Sequence, residues 1–404
     1  MVKSVKEATK AEVDGASDAL IELSHRIWGH PELAFEEEQT SAACAEMLDD
    51  VGFKVTTGVA GLPTAFVAEY GSGPLTVGIC CELDALPDIG HACGHNMIAA
   101  AGVGAGLGLA RVADELGLTI RVLGTPAEEL GGGKIIMLEE GAFDGLHMAM
   151  MVHPSPNEND VFPTLAISQS DFHYHGKTAH ASVSPHVGIN ASDAITVAQV
   201  SIGLLRQHLN SGDQIHGIVL KGGEAANIVP AETTARFFVR APDLEALARL
   251  EPRVRACFEA GALATGSSLD VEALGPPYSE FNHDLELADL YRANAIELGR
   301  CLGDRPTVGA GSTDMANVSL LMPTIHPMLS LDCLPVVNHQ PEFTAQCRTP
   351  LADQALLDGA VAMAWTCADA ATDDTIRRRL LDADTSYGGR SQYPWRFEGD
   401  NQAT

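Results

Sequence analysis

Leu20, Ile21, Leu23, Ile27 and Trp28 recur at helical spacing and Pro31 closes the run, so residues 17–28 predict a helix. The pattern then shifts to short apolar runs bounded by glycine or proline, at 65–69, 75–81, 119–123 and 147–152. Uninterrupted apolar runs of that length mark strands buried on both faces. A helical stretch at 41–51 and a small-residue one at 97–116 lie between them. Strands and helices therefore alternate as in a layered α/β domain with a central, mostly parallel sheet.

From about residue 167 the grammar changes. Strands are expected at 167–174, 214–221 and 232–240, with a long helix at 188–209, which together read as a smaller α+β insert. The Gly-Pro-Pro-Tyr run at 275–278 marks a return, followed by a helix at 285–298 and a strand at 324–331. The expected organisation is a discontinuous first domain, 1–167 and 278–382, interrupted by an insert at 168–277. The stretch 383–404, rich in Asp, Gly, Ser, Arg and Gln, reads as a surface tail.

Composition narrows the function. Apolar residues make up 46% and charged residues 20% of the 404 positions, the usage of a chain that folds. The 25 Lys and Arg against 54 Asp and Glu leave a charge of -29, a field that repels phosphate backbones and argues against nucleic-acid binding. No run reaches the ~18 apolar residues that span a bilayer, and the charged start lacks an export core, so no membrane partner and a cytoplasmic location are expected. Nine thinly spread cysteines suggest reduced thiols over a disulfide framework.

The chemistry lies where apolar strands end. Residues 75–81 run into Glu82 and Asp84, 119–123 into Glu128 and Glu129, and 149–152 into His153. In a parallel sheet the carboxyl ends of strands share one edge, where ligands bind. Cys93 and His95 flank Gly94 in a tight turn that lets thiolate and imidazole aim at one point. Adjacent Glu128 and Glu129 repel each other unless a cation or a proton intervenes. In a metal hydrolase one such carboxylate ligates while its neighbour deprotonates water. His339 follows the last expected strand and could close a metal cluster. Loop 309–314 (Gly-Ala-Gly-Ser-Thr-Asp) can offer N–H groups and hydroxyls to an anion. His173 and His175 share a strand face, and His180 sits in the turn beyond.

Taken together, these motifs resemble the two-metal peptidase family of aminoacylases, carboxypeptidase G, succinyl-diaminopimelate desuccinylases and auxin-conjugate amidohydrolases. The similarity spans about residues 17–380. His91-Ala92-Cys93-Gly94-His95 resembles the amidohydrolase branch. Glu82-Leu83-Asp84-Ala85-Leu86-Pro87, Gly311-Ser312-Thr313-Asp314-Met315 and Asn338-His339 are most similar to p-aminobenzoyl-glutamate hydrolase and aminoacyl-dipeptide hydrolases.

The resemblance implies two divalent metal ions per subunit, zinc or manganese, held by Cys93, His95, Glu129, His153 and His339, with Glu128 as general base. It makes Asp84 an orienting carboxylate behind the metals, has His180 of the insert reach into the partner subunit's site to hydrogen-bond the developing oxyanion, and gives Asn227 a similar role. The insert becomes a lid and dimerisation domain, and a homodimer or higher oligomer is expected. Gly311, Ser312 and Thr313 are the expected cradle for a substrate carboxylate. Two departures stand out: Asn96 replaces a common Asp, and His147 competes with His153. Arg292, Arg300 and Arg305 offer no matched carboxylate clamp. The implied reaction is hydrolysis of an amide bond in an N-acyl or N-aminoacyl amino acid or small dipeptide. The alternatives are an N-carbamoyl amino acid hydrolase on the same framework, a non-catalytic metal-binding homologue, or Cys93 acting as a thiol nucleophile.

Overall fold

In the computed structural model, which describes residues 2–309, 311–390 and 392–396, twelve strands follow one another among the described residues. They are β1 (Lys54–Thr57), β2 (Phe66–Gly71), β3 (Leu75–Glu82), β4 (Leu118–Thr125), β5 (Met148–Met150), β6 (His153–Ser155), β7 (Ala166–His175), β8 (Gln214–Lys221), β9 (Glu232–Ala241), β10 (Ser268–Ala273), β11 (Thr324–Ile325) and β12 (Met328–Ser330). The chain divides into two compact units. One comprises Met1–Pro163, Phe281–Val308 and Thr313–Ser391, and the other Thr164–Glu280, Gly309–Ser312 and Gln392–Thr404.

The first unit is built on a six-stranded sheet of order β1-β2-β4-β3-β5-β11. Strands β4, β3, β5 and β11 run parallel, while β2 and β1 add an antiparallel flank. Every residue of β3 is buried, as its continuous apolar run requires when helices cover both faces. The helix His95–Ala110 packs on β3 and is buried along nearly its whole length. Its glycines permit that closeness: a Cβ on Gly104 would stand 2.9 Å from Leu20 and 3.0 Å from Ala360, in the neighbouring helices Ser17–Gly29 and Pro350–Thr372.

One expected strand is shortened and another is split. The run 147–152 gives only β5 in the main sheet, beyond which the chain enters β6 at His153, and 324–331 divides into β11 and β12. β6 and β12 pair with each other as a separate parallel ladder. Pro327 stands between β11 and β12 and has no N–H with which to continue the first ladder. The separate ladder carries His153 away from the main sheet and onto its own short strand.

The second unit is an antiparallel sheet, β10-β7-β9-β8, with the helices Ala191–Leu205 and Leu244–Thr265. Phe172 of β7 stacks on Phe258 with ring centroids 3.5 Å apart, and Phe237 of β9 meets the same ring edge-on. β8 is an edge strand, and all its residues except Ile215 are exposed.

Beyond residue 382 the reading as a surface tail needs correction. Tyr387 and Trp395 are fully buried, and the Tyr387 hydroxyl donates to the Leu146 carbonyl at 2.8 Å. Aromatic side chains at these positions bury too much apolar area to be left in water. Residues 397–404 lie outside the described residues. All nine cysteines are free thiols.

Candidate metal centre

Separate segments of the first unit deliver side chains to one point. The β3 end supplies Glu82 and then Asp84, and the turn before helix His95–Ala110 supplies Cys93 and His95. The turn after β4 supplies Glu128 and Glu129, and β6 supplies His153. The loop after β12 adds His339. Three of these turns have special backbones. Gly94 has φ 78°, and a Cβ there would come within 2.7 Å of Pro154. Ala127, immediately before the two glutamates, has φ 58°, and His339 itself has φ 65°. Non-glycine residues rarely occupy this region, and such strain clusters at functional sites. The Ala127 turn is held by the buried Glu37, which accepts its N–H at 2.9 Å and the Thr64 hydroxyl at 2.8 Å.

The potential donor atoms converge. Cys93 Sγ lies 3.4 Å from His153 Nε2 and 3.4 Å from His339 Nε2. His339 Nε2 lies 3.5 Å from Glu129, and His95 Nε2 stands 3.8 Å from Glu129 and 3.9 Å from Glu128. Three overlapping sets have mutually close ligand atoms among the described residues: Cys93–His95–His153 and Cys93–Glu129–His339 share Cys93, and Glu82–His95–Glu128 joins the first through His95. His95 is fully buried, yet neither ring nitrogen makes a well-aligned hydrogen bond, and Glu129 Oε1 is buried without a partner. Buried polar atoms are ordinarily paired, so lone pairs left facing each other fit a cation between them. The His153 Nδ1–H donates to the Pro154 carbonyl at 2.8 Å, which leaves Nε2 as the lone pair facing Cys93. His339, with a side chain 57% exposed, stands at the solvent side of an otherwise buried cluster.

Electrostatics supports the same reading. Burial raises the Glu128 carboxyl well above its ordinary range, and Glu82 and Glu129 push it further. Glu129 is raised by burial and Asp84, against His95 and His339. Burial, then Glu129 and Glu128, raise the Cys93 thiol strongly, which tells against a free thiolate nucleophile. Burial works against a charged His95, but Asp84, Glu82 and Glu129 outweigh it and raise the ring's pKa. Several carboxylates packed in low dielectric need positive charge, and a divalent cation supplies it with the correct ligand chemistry. The residues present thus fit a metal centre.

Asp84 stands behind the cluster. Its carboxylate accepts the Glu128 and Glu129 N–H groups at 3.0 and 2.9 Å and lies 3.3 Å from His95 Nδ1, so it orients both the glutamate turn and the imidazole. His147 is excluded as a rival of His153: its Nδ1 accepts the Thr76 N–H at 3.0 Å, near the start of β3 and not its carboxyl end. Asn96 does not join the donors, because its amide donates to Ser24 Oγ and the Cys347 carbonyl at 2.8 and 3.0 Å. Arg292 and Arg305 both bind Asp160, and Arg300 binds Glu158 bidentately at 2.7 and 2.6 Å. Their charges are spent on buried carboxylates.

His180 and Asn227 belong to the second unit, where the structure brings their loops together. The Ala181 N–H donates to the Asn227 carbonyl at 3.0 Å, and His180 pairs with Ile228 in a single bridge. Both side chains are exposed. In the cradle loop, Ser312 Oγ donates to the Leu165 carbonyl at 2.6 Å and accepts from Arg240 at 2.7 Å, and the Gly311 carbonyl accepts the Leu165 N–H at 2.8 Å. Thr313 Oγ1 accepts the Met315 N–H at 3.2 Å. These hydroxyls are therefore engaged with the protein itself. His175 is hydrogen-bonded to Glu232 and Asp270 of the flanking strands.

Sequence reasoning gave no role to His326 or Lys134, both buried at the centre. His326 packs its ring on His153 at 5.3 Å between centroids, and burial, then His153, push it down to about 3. Lys134 is fully buried and donates to Glu82 and Asp314, both at 2.6 Å. A lysine following a glycine run gave the only signal, and it was indistinguishable from a surface residue.

Comparison with known proteins agrees with this geometry. The family model described as a peptidase dimerisation domain matches residues 167–265. A mouse Xaa-Arg dipeptidase is 36% identical over 382 residues, covering 90% of this chain and 88% of the relative. A p-aminobenzoyl-glutamate hydrolase polypeptide from Escherichia coli is 32% identical over 62% of this chain and 56% of its own length. Among solved structures, a dinuclear metal-binding peptidase from Bacillus subtilis superposes with a TM-score of 0.61 at 20% identity, covering 86% of this chain and 98% of its own. An aminohydrolase from Staphylococcus aureus gives 0.70 at 20% identity, over 90% and 99%. At that identity the structural likeness speaks for the fold.

Proposed function

We propose a Glu128-driven hydrolysis for this chain, which belongs to the M20 peptidase family and is a metal-dependent amidohydrolase of N-acyl amino acids or dipeptides. The observation that carries the proposal is the convergence of Cys93, His95, Glu129, His153 and His339, with Glu128 beside them. Two divalent cations held by those five residues would acidify a water molecule and polarise the scissile carbonyl. Mixed thiolate, imidazole and carboxylate donors suit zinc and accommodate manganese.

The remaining work falls to the chain. Glu128 receives the water proton on its carboxylate and returns it to the leaving nitrogen, which an amide needs because its amine departs badly unprotonated. Asp84 holds the Glu128 and Glu129 backbone in register throughout. His180 of the dimerisation unit, reaching into the partner subunit's site, serves with Asn227 as a donor to the carbonyl oxygen as charge develops there. Thr313 and its neighbours Gly311 and Ser312 receive the substrate carboxylate through backbone groups, since the Ser312 hydroxyl is already bonded.

For the substrate, relatives 36% and 34% identical are Xaa-Arg dipeptidases, and the -29 charge of this chain favours encounter with a cationic molecule. We place dipeptides with a basic carboxyl-terminal residue first. The protein functions as a homodimer: edge strand β8 exposes Ile218, Val219 and Leu220, and helix Ala191–Leu205 exposes Val200 and Leu204 in the same unit. An unpaired apolar strand edge is stable in solution only when covered, and a second copy covers it symmetrically. The test is an amine-release screen over dipeptides and N-acyl amino acids with and without added metal. Release from Xaa-Arg or Xaa-Lys dipeptides that stops on chelation is expected, and metal-independent release would refute the reading.

A further inference from the structure

The metal centre contains a buried carboxylate, Glu82, to which the proposed function gives no role. Glu82 Oε2 is fully buried, makes no hydrogen bond and lies 3.4 Å from His95 Nε2. Its donor atom falls within 4.8 Å of those of His95 and Glu128, so distance alone would admit it as a ligand. Its other oxygen is not available. Glu82 Oε1 accepts from Lys134 Nζ at 2.6 Å, and the same ammonium donates to Asp314 Oδ1 at 2.6 Å. Asp314 also accepts the Lys134 backbone N–H at 2.8 Å through Oδ2, so it grips the lysine at both ends. The turn before Lys134 is closely packed and admits only glycine, because a Cβ on Gly133 would meet the Pro126 carbonyl oxygen at 1.9 Å. Glu82, Lys134 and Asp314 are all fully buried.

We propose that Lys134 is a positioning residue that withholds Glu82 from the metals, so that the centre keeps the ligands Cys93, His95, Glu129, His153 and His339. The reasoning is chemical. A carboxylate in a short charge-assisted bond to an ammonium has part of its charge satisfied, and the ammonium repels a cation drawn toward the same group. Glu82 is then a fixed negative neighbour of His95, which favours the imidazole without adding a ligand. Without Lys134 the same carboxylate is an unpaired buried anion next to a cation, and coordination is its natural outlet.

This inference rests on the five-ligand reading, and the experiment separates the two. Metal-free protein is titrated with cobalt(II) alone, and the visible d–d bands and the near-ultraviolet thiolate-to-cobalt band are recorded. The wild type is expected to take up two equivalents and show the thiolate band of Cys93. Absence of both would end the five-ligand reading and this inference with it. Glu82→Gln keeps an acceptor for Lys134 but is a poor ligand, so two equivalents and an unchanged spectrum are expected. Loss of an equivalent or shifted d–d bands in that variant overturns the inference while leaving a metal centre. Lys134→Met is expected to weaken and shift the d–d bands as an oxygen ligand enters, with the thiolate band retained. The double variant Lys134→Met/Glu82→Gln should restore the wild-type spectrum, and Lys134→Arg should preserve it. A Lys134→Met spectrum identical to wild type, or no restoration in the double variant, overturns the inference. Should Lys134→Met fail to fold, Glu82→Gln and Lys134→Arg decide.

Discussion

Glu128 and Glu129 are adjacent in sequence, and the proposed function gives them separate duties. Glu129 stands near both His95 and His339, and Glu128 stands 3.9 Å from His95. Glu128→Gln should therefore bind metal normally while kcat falls by about 10² to 10⁴, the range of general acid–base catalysis. Metal content by atomic emission and steady-state rates check this together, and a variant with wild-type turnover would remove Glu128 from the base role. Arg300 makes a contrasting case, because its guanidinium closes on the buried Glu158. Arg300→Met strands that carboxylate and should cost about 3 to 5 kcal/mol of stability in denaturant titration, with KM of the folded fraction unchanged. A raised KM without lost stability would make Arg300 a substrate clamp instead. At this scale the convergence of donor types was legible, since Cys93-Gly94-His95, the glutamate pair and the late His339 have few bland explanations in combination. Lys134 and His326 were not. Their meaning comes from Glu82 and His153, which are remote in sequence, and no local pattern announces a buried lysine.

Elements with a plain pattern were read closely, as with β3, β4 and β9, because burial on both faces or strict alternation leaves a clear signature. The helix Leu244–Thr265 was missed: it carries Pro252 and a charged face that obscure its period. Strand β10 was also missed, its alternation of apolar and acidic residues being short and exposed. The separate ladder of β6 and β12 was equally invisible, because which ladder a strand joins depends on its partners and not on its own composition. Edge strand β8 carries the dimer reading. Ile218→Asp combined with Leu204→Asp should shift the sedimentation mass from dimer to monomer, since charges buried in an apolar interface are left unpaired. A dimer that persists would place the interface elsewhere.

Over the whole molecule, charge and metal set the behaviour. With 54 acidic against 25 basic residues, encounter with a cationic dipeptide is favoured by the long-range field. Raising ionic strength should lower kcat/KM for such substrates more than for neutral ones, because screening shortens that field. Equal salt dependence would separate the net charge from substrate choice. The proposed ligands come from segments spread from Cys93 to His339 and meet only in the folded chain, so chelation should lower the melting temperature. Saturation at 100 times Kd corresponds to about 2.7 kcal/mol per site. The most direct measurement is anomalous X-ray diffraction at the metal absorption edge from crystals grown with zinc or manganese. Two peaks about 3.5 to 4 Å apart, enclosed by Cys93, His95, Glu129, His153 and His339, are predicted. Peaks elsewhere, or none at this cluster, would contradict the account.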